Sequence, residues 1–399
     1  MTAGRSVFGV ALVAMLALVG CSAGPILANP PLVLTVPPTA APATAPPADP
    51  VAISLPRDDG PHDRLTEWWY YTGHLETADG RHFGFEAVIF RAERGDVPVT
   101  WASHLALTDE SGGHFRYAQR SEIGPAADHS PRDSAGAPTG FDLGIVGFDP
   151  SDPTAPPPSP WRLSGSGGTD RIDAALSPNE AGAAGGSFGL DLSLQSTKPP
   201  ALHDGIGWVP FGPAGGSYYY SRTRMSIGGT LSLDGARLAV TGSGWFDHQW
   251  GDFIAVGGGG WDWYAVNLVD GTDLTISVVR GADGSPVIVY GTLVDPSGSA
   301  THLDASAFTI ASTGSWSSPA TGAVYPAGWR IEIPSQRLAI SLMPTIADQE
   351  LDTRPTTGVV YWEGSQQVAA TLAGRPLGGA AYVELTGYAP AASTQPATP

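Results

Sequence analysis

Hydrophobic and polar positions in this chain fall into short alternating or apolar runs, and helical spacing is scarce. Phe83 to Phe90 is one such run and Leu274 to Val279 is another. Each follows an Asp-Gly pair, Asp79-Gly80 and Asp270-Gly271, which reads as a hairpin turn needing a positive φ. Gly or Pro breaks most of the remaining runs. Strands and tight turns are the predicted elements, and the class is all-β, a sandwich or a barrel. The stretch 124–160 is rich in Pro, Ser, Asp and Ala and includes Ala155-Pro156-Pro157-Pro158-Ser159-Pro160. That composition predicts a loop between strands, either a flap over a barrel mouth or a plain surface insertion.

The pattern repeats on a large scale. Glu67-Trp68-Trp69-Tyr70 leads to Asp79-Gly80 and a strand ending Phe90-Arg91. Trp261-Asp262-Trp263-Tyr264 leads to Asp270-Gly271 and a strand ending Val279-Arg280. Each half also closes alike. Tyr219-Tyr220-Ser221 runs to Trp245-Phe246-Asp247, and Tyr361-Trp362-Glu363 runs to Tyr382-Val383-Glu384. Two homologous barrels meeting near residue 250 account for this.

Composition adds a cellular address. Arg5, an apolar run from Val7 to Val19 and then Leu18-Val19-Gly20-Cys21 make an export signal whose apolar part is too short to span a bilayer. Leu-Val-Gly-Cys resembles the lipobox of bacterial lipoproteins, which would make Cys21 the lipidated first residue of the mature chain. The alternative is a buried cysteine just past an ordinary signal. Cys21 is the only cysteine, so the folded part contains no disulfide. Residues 30–50 hold eight prolines among Ala and Thr and read as an extended tether. The tail after Pro390 has similar composition and is predicted to be disordered. A net charge of −18 with 20 Lys and Arg excludes a nucleic-acid partner.

Four clusters combine aromatics with ionisable groups: Glu67 to Tyr71, Gly244 to Gly251, Gly260 to Tyr264, and Tyr361 to Gly364. Alternate residues of a strand share a face. Trp261 and Trp263 then face one way, and Asp262 with Tyr264 the other. Asp247, Gln249 and Gly251 share one face, while Phe246, His248 and Trp250 share the opposite one. An acid walled by indoles has its charged form disfavoured and can donate a proton near neutral pH. The same ring faces can steady a carbocation. Against this stands a purely structural use, in which Arg91 and Arg280 pair with acids beneath the rings and plug a barrel end. Glu67, Glu363 and Glu384 fit that structural use, while His248 is the foremost functional candidate. His104 falls in a strand-like run and could face the same lumen. His62, His74, His82, His114, His129, His203 and His302 lie near turns and are expected to be exposed. No zinc motif and no phosphate loop occurs, so no metal is expected.

Several motifs in order resemble one family: Glu67-Trp68-Trp69-Tyr70, His104-Leu105-Ala106-Leu107-Thr108-Asp109, Tyr219-Tyr220-Ser221-Arg222 and Trp245-Phe246-Asp247-His248-Gln249-Trp250-Gly251. Trp261-Asp262-Trp263, Tyr361-Trp362-Glu363-Gly364 and Tyr382-Val383-Glu384-Leu385-Thr386-Gly387-Tyr388 continue the series. The set looks like the AttH/carotenoid 1,2-hydratase superfamily, also labelled secreted hydrolases or lipocalin-like proteins. The resemblance spans residues 61–389. It implies two tandem lipocalin-like β-barrels, 61–250 and 251–389, behind a signal peptide (1–20) and tether (21–60) and ahead of a short tail (390–399).

It also implies cofactor-free addition of water to a C=C bond, with an aspartic acid as proton donor and aromatics around the cation. His248 and Trp250 match the histidine and tryptophan of the hydratase pocket. The hydratases' acid lies beyond that motif, where this chain reads Leu274 to Arg280 without an acid, and Asp262 is the nearest carboxyl.

The first reading is therefore a lipid-anchored, exported, hydratase-like enzyme in the cell envelope, acting without cofactor on an acyclic isoprenoid or other long hydrophobic molecule. Asp262 or Asp247 would be the acid, with His248 assisting. Trp68, Trp69, His104, Trp250, Trp261, Trp263 and Tyr264 would line the pocket. The second reading is a non-catalytic carrier of a lipid or terpenoid, bound in one barrel. The third, a hydrolase, lacks a visible nucleophile–histidine pair.

Overall fold

A computed structural model describes residues 48–147, 158–212, 215–253 and 258–390. Cys21, most of the tether, residues 148–157 and the tail after Pro390 lie outside the described residues.

Twelve strands form the first sheet. They are β1 (Thr66–Thr77), β2 (His82–Arg94), β3 (Val97–Asp109), β4 (His114–Ile123), β5 (Phe141–Ile145) and β6 (Trp161–Ser166), followed by β7 (Thr169–Ala175), β8 (Phe188–Ser196), β9 (Ala201–Leu202), β10 (Trp208–Pro210), β11 (Gly216–Leu233) and β12 (Ala236–Gly251). One short helix, α1 (Pro178–Ala183), precedes β8. The second half contributes β13 (Gly258–Leu268), β14 (Asp273–Gly281), β15 (Pro286–Val294), β16 (Ala300–Asp304), β17 (Thr309–Ser312) and β18 (Ser315–Ser317). After these come β19 (Val324–Pro326), β20 (Trp329–Ile333), β21 (Leu338–Pro344), β22 (Glu350–Asp352), β23 (Val360–Leu372) and β24 (Arg375–Thr386). Strands β18 and β19 pair only with each other.

Both sheets are antiparallel and curled, with one topology. The first runs β4-β3-β2-β1-β12-β11-β8-β7-β6-β5, and the second runs β16-β15-β14-β13-β24-β23-β21-β20-β17. In each, the opening strand lies between its successor and the last strand of the half. The repeated motifs fall on equivalent strands: β1 with β13, β11 with β23, and β12 with β24. The Asp-Gly turns form as predicted, Gly80 at φ +84° and Gly271 at φ +92°. Residues 124–160 are not loop throughout, because β5 lies within them. Phe141, Leu143 and Ile145 alternate onto one face and enter the first core, which outweighs the loop-like composition around them.

The ladders correct the register of the internal repeat. Tyr70 on β1 stands opposite Asp247 on β12, and Trp263 on β13 stands opposite Glu384 on β24. Asp247 and Glu384 close the matching motifs, so Tyr70 corresponds to Trp263 and not to Tyr264, its partner when the two tetrads are aligned residue for residue. A one-residue slip reverses every side chain on a strand, so this correction decides which aromatics belong together.

Alternation then builds three apolar zones. Trp69, Tyr71, Phe85, Ile89, Phe246 and Trp250 pack inside the first sheet. Tyr264, Val266, Ile276, Trp329 and Trp362 pack inside the second. The other faces of β1, β2, β12, β13 and β24 meet one another through Tyr70, Val88, Trp245, Trp263, Ala265 and Tyr382. Polar clasps cross the same boundary. Asp273, fully buried, accepts from Lys198 (2.7 Å), Arg224 (2.6 Å) and Thr223 (2.8 Å). No helix among the described residues is long and apolar enough to cross a membrane.

Candidate active site

The two sheets do not close completely on one another. A cavity of about 120 Å³ remains between them, walled from the first sheet by Trp68, Tyr70, Phe90, Tyr219 and Asp247, and from the second by Trp261, Trp263, Tyr290 and Glu384. Phe211, Phe253 and Val279 complete the apolar lining, and Glu86 contributes a third carboxyl. The cavity among these aromatics thus lies between the sheets and not inside one barrel. Its walls come from the outward-facing positions of strands whose inward positions form the two cores. On β12 the predicted division of faces holds: Asp247 and Gln249 reach the cavity, while Phe246 and Trp250 join the first core.

Asp247 is held by donors. Trp245 Nε1–H donates to its Oδ1 at 2.6 Å, and Tyr219 Oη–H donates to Oδ2 at 2.5 Å. Ser221 also donates to Oδ1. Tyr219 is itself oriented, because Trp263 Nε1–H donates to the phenol oxygen at 3.1 Å. Burial pushes the Asp247 carboxyl up, these donors pull it back, and the balance is about 6. Asp247 is therefore mostly ionised at neutral pH.

Glu384 is less supported. Half-buried, it is raised to about 7 by desolvation and by the charge of Asp247, with the Trp261 indole favouring the charged form. Behind it, Glu363 accepts from Tyr70 at 2.8 Å and is raised well above the ordinary carboxylate range by burial, Glu86 and Glu384. Glu86, Glu363, Glu384 and Asp247 form no ion pair among the described residues. The site thus sets an ionised carboxylate and a carboxyl that titrates near neutrality in one aromatic chamber, the separation of roles that acid–base chemistry requires.

Residues 46–388 match the AttH-like family. The chain belongs to that family. Its fold is similar to that of a putative AttH from Nitrosomonas europaea, at 30% identity and a TM-score of 0.70, covering 86% of this chain and all of that one. Kievitone hydratase from Nectria haematococca shares the fold at 14% identity and a TM-score of 0.57, over 84% of this chain and 93% of its own. CghA, in a structure with Sch210972, shares it at 13% identity and a TM-score of 0.54, over 81% and 89%. No curated protein sequence matches the chain.

Within this AttH-like chain the residues singled out from sequence fall in four places. Trp68, Trp261, Trp263 and Asp247 line the cavity. Trp69, Trp250 and His248 lie inside the first sheet. There His248 Nε2 is 2.9 Å from Glu67 Oε1, and His62 Nδ1 is 2.7 Å from the same oxygen. Burial opposes ionisation of Glu67, but the two imidazoles outweigh it and hold the carboxyl at about 2. The ligating atoms of His62, Glu67 and His248 lie within 4.8 Å of one another, with the His248 ring stacked on Trp69 and tilted against Trp250 and its Nδ1 buried without a hydrogen-bond partner.

Asp262 and Tyr264 point into the second half. Asp262 accepts from Tyr388 at 3.0 Å and pairs with Arg280 at 3.2 Å, which lies over the Tyr388 ring. Burial raises Asp262 to about 6 against those two partners. Asp262 and His248 thus occupy separate interiors, on the far faces of the strands that wall the cavity. Arg91 pairs with Glu93 and lies 5.9 Å from the Trp101 ring centre. His104 sits at the boundary between the sheets, 2.7 Å from Tyr361 Oη.

Several site residues were missed. His203, expected to be exposed, is fully buried, with Nε2 2.7 Å from Ser221 Oγ and Nδ1 2.9 Å from Thr292 Oγ1. It adjoins the Tyr219 ring and supports the group that donates to Asp247. Glu86 had a signal, being the one acid in a run apolar on both faces. Serine and histidine thus meet at Ser221 and His203, where the serine is fully buried and donates to Asp247, and again at Ser365 and His74, 3.5 Å apart. Ser365 is fully buried and donates to Glu110, so it offers no accessible nucleophile for the hydrolase reading.

Proposed function

We propose that this protein is a cofactor-free hydratase acting on the unsaturated end of a long hydrophobic molecule, with Glu384 as proton donor and Asp247 as general base. The observation that carries the reading is the placement of both carboxyls in one aromatic chamber with different hydrogen-bond surroundings. Glu384 would transfer its proton to one alkene carbon, leaving a cation faced by Trp68, Trp261 and Trp263. Water adds to the other carbon and its proton passes to Asp247, and exchange with solvent restores both groups. Atoms balance as addition of one water to one double bond. The cavity is small beside the ~300–1,000 Å³ of a site enclosing a drug-sized ligand, which favours binding one end of a longer chain. The hydratase named among the fold relatives supports this reaction class by analogy only.

The proposal includes export and lipid anchoring at Cys21, which rest on Leu18 to Cys21 and would give the site access to membrane-dissolved substrates. Labelled fatty acid should enter the wild-type protein in a bacterial host and be lost in Cys21→Ser.

The decisive experiment compares Glu384→Gln and Asp247→Asn with wild type on a panel of acyclic isoprenoid alkenes, following water addition and binding together. Binding kept within about threefold with turnover reduced at least a hundredfold supports the reading. The kcat/KM of the wild type should be bell-shaped, rising through about 6 as Asp247 ionises and falling above about 7 as Glu384 does. Binding of such molecules without turnover in the wild type would replace the enzyme by a carrier.

A further inference from the structure

Glu86 lines the cavity but has no part in the reaction above. Its hydrogen-bond chain can be read from the far end. Gln119 Nε2 lies 2.8 Å from the backbone carbonyl of Asp352, which can only accept, so the amide is oriented with Oε1 towards Thr356. Thr356 Oγ1 is 2.7 Å from that oxygen and 3.2 Å from the carbonyl of Thr353, so its one proton goes to an acceptor on either path. His104 Nε2, 3.1 Å from Thr356 Oγ1, must then be the donor in that contact.

An imidazole buried against Phe90 and Tyr361 with no carboxylate in contact is driven to its neutral form, here down to about 3. Its Nδ1 is then an acceptor, and Tyr361 Oη, 2.7 Å away, donates to it. The phenol has no second proton. Glu86 Oε1, 2.8 Å from the same phenol oxygen, has to supply the proton between them.

The geometry points to His104 as a positioning residue that, through Tyr361, holds Glu86 as an uncharged carboxylic acid in the cavity wall. A second observation agrees. Glu86 Oε2 is buried with no hydrogen-bond partner, which is far less costly for the carbonyl oxygen of a neutral acid than for a carboxylate oxygen. The groups facing Glu86 also agree: Glu363 and Glu384 from the second sheet repel a charge, and the nearby phenols Tyr70, Tyr361 and Tyr382 bring none. Asp247 is the contrasting case. Two of its three donor paths, through Trp245 directly and through Tyr219 from Trp263, end in indole N–H groups, which can only donate, so those bonds run towards a carboxylate. One cavity therefore holds a donor-supported carboxylate at Asp247 and a neutral acid at Glu86, set by whether the array around each ends in donors or in a carbonyl. The inference concerns protonation and stands whether or not the cavity is catalytic.

The test uses wild-type protein at pH 7 and needs no substrate. The infrared difference between wild type and Glu86→Gln, with carbon-13 glutamate, should show a protonated carboxyl band and no carboxylate band. Nitrogen-15 spectra of labelled histidine should place His104 in the neutral Nε2–H form. His104→Asn, whose amide oxygen can accept from Tyr361 in place of Nδ1, should keep the protonated band. His104→Leu frees Tyr361 to donate to Glu86 and should raise its ionisation constant about tenfold or more. A carboxylate band in the wild type, or His104 as imidazolium or Nδ1–H tautomer, overturns the inference. So does a His104→Leu protein that folds and leaves the Glu86 ionisation constant unchanged. If His104→Leu does not fold, the two wild-type spectra decide alone.

Discussion

Replacing Glu86 by Gln should make the protein more resistant to alkaline unfolding, and the size of the effect follows from the buried position. Desolvation, with repulsion from Glu384, raises Glu86 from 4.5 to about 8. A raised carboxyl stabilises the fold fully below its unfolded value, and that contribution is lost as pH rises from 4.5 to about 8. At ~1.4 kcal/mol for each tenfold step, complete ionisation costs about 5 kcal/mol, an upper figure because the cavity can admit water. Gln keeps the shape and, with its amide nitrogen towards Tyr361, the donor that the neutral acid supplies. The variant should match wild type near pH 5 and exceed it by a few kcal/mol at pH 8.5. Urea unfolding followed by tryptophan fluorescence at several pH values would measure this. Glu363, Glu384 and Asp247 are raised as well, so the difference between variant and wild type, and not the wild-type curve, carries the information. Parallel curves for the two proteins from pH 5 to 8.5 would mean that Glu86 is already ionised in the native state, and the reasoning would be wrong.

Three further outcomes test the frame around the cavity. Asp273→Asn leaves Lys198 buried without its counter-charge at the boundary between the sheets and should cost about 3–5 kcal/mol, read from a thermal or urea midpoint. Glu67→Gln should cost about 3 kcal/mol at neutral pH. Glu67 is lowered to about 2 by His62 and His248, so its stabilisation is present above 4.5 and vanishes as pH falls through 2; the variant should approach wild type in acid and leave ligand binding in the cavity nearly intact. Gly84→Ala would bring a Cβ to 2.4 Å from Tyr382 Oη and 2.9 Å from Ser365 Cβ, both buried. A cost of about 1–3 kcal/mol is expected, with a shift in tryptophan emission from loosened packing between the sheets.

The strands, the Asp-Gly turns and the duplication were legible because period-2 alternation and turn chemistry are local properties. The division of Asp247 and Gln249 from Phe246, His248 and Trp250 was legible for the same reason. Alternation could not say which face was a core and which a cavity. In most antiparallel sheets one face is wet and the polar set marks it. Here both faces of β1, β12 and β13 are covered, one by the sheet's own core and the other by the opposing sheet, so on β1 and β12 tryptophans stand on both sides of the same strand. His248 and Asp262 combined the right chemical types in the motif while pointing away from the shared chamber.

The pairing of Tyr70 with Trp263 also explains why the duplication matters for chemistry. A single curled sheet offers the outer face of one opening strand and one closing strand, with one acid at the crossing. Packing two such sheets against each other brings two crossings together, Asp247 beside Tyr70 and Glu384 beside Trp263. Their surroundings were then free to diverge. On the first sheet Tyr219 donates to Asp247 and is fixed by an indole, whereas its counterpart Tyr361 on β23 turns to Glu86 and is fixed through His104. Glu384 is thereby left without the phenol donor that its equivalent enjoys, and it titrates higher than Asp247. In this account the difference between the two acids comes from where each tyrosine sends its proton, Tyr219 to Asp247 and Tyr361 to His104, so a change that returned a phenol donor to Glu384 would lower its ionisation towards that of Asp247 and weaken it as a proton donor.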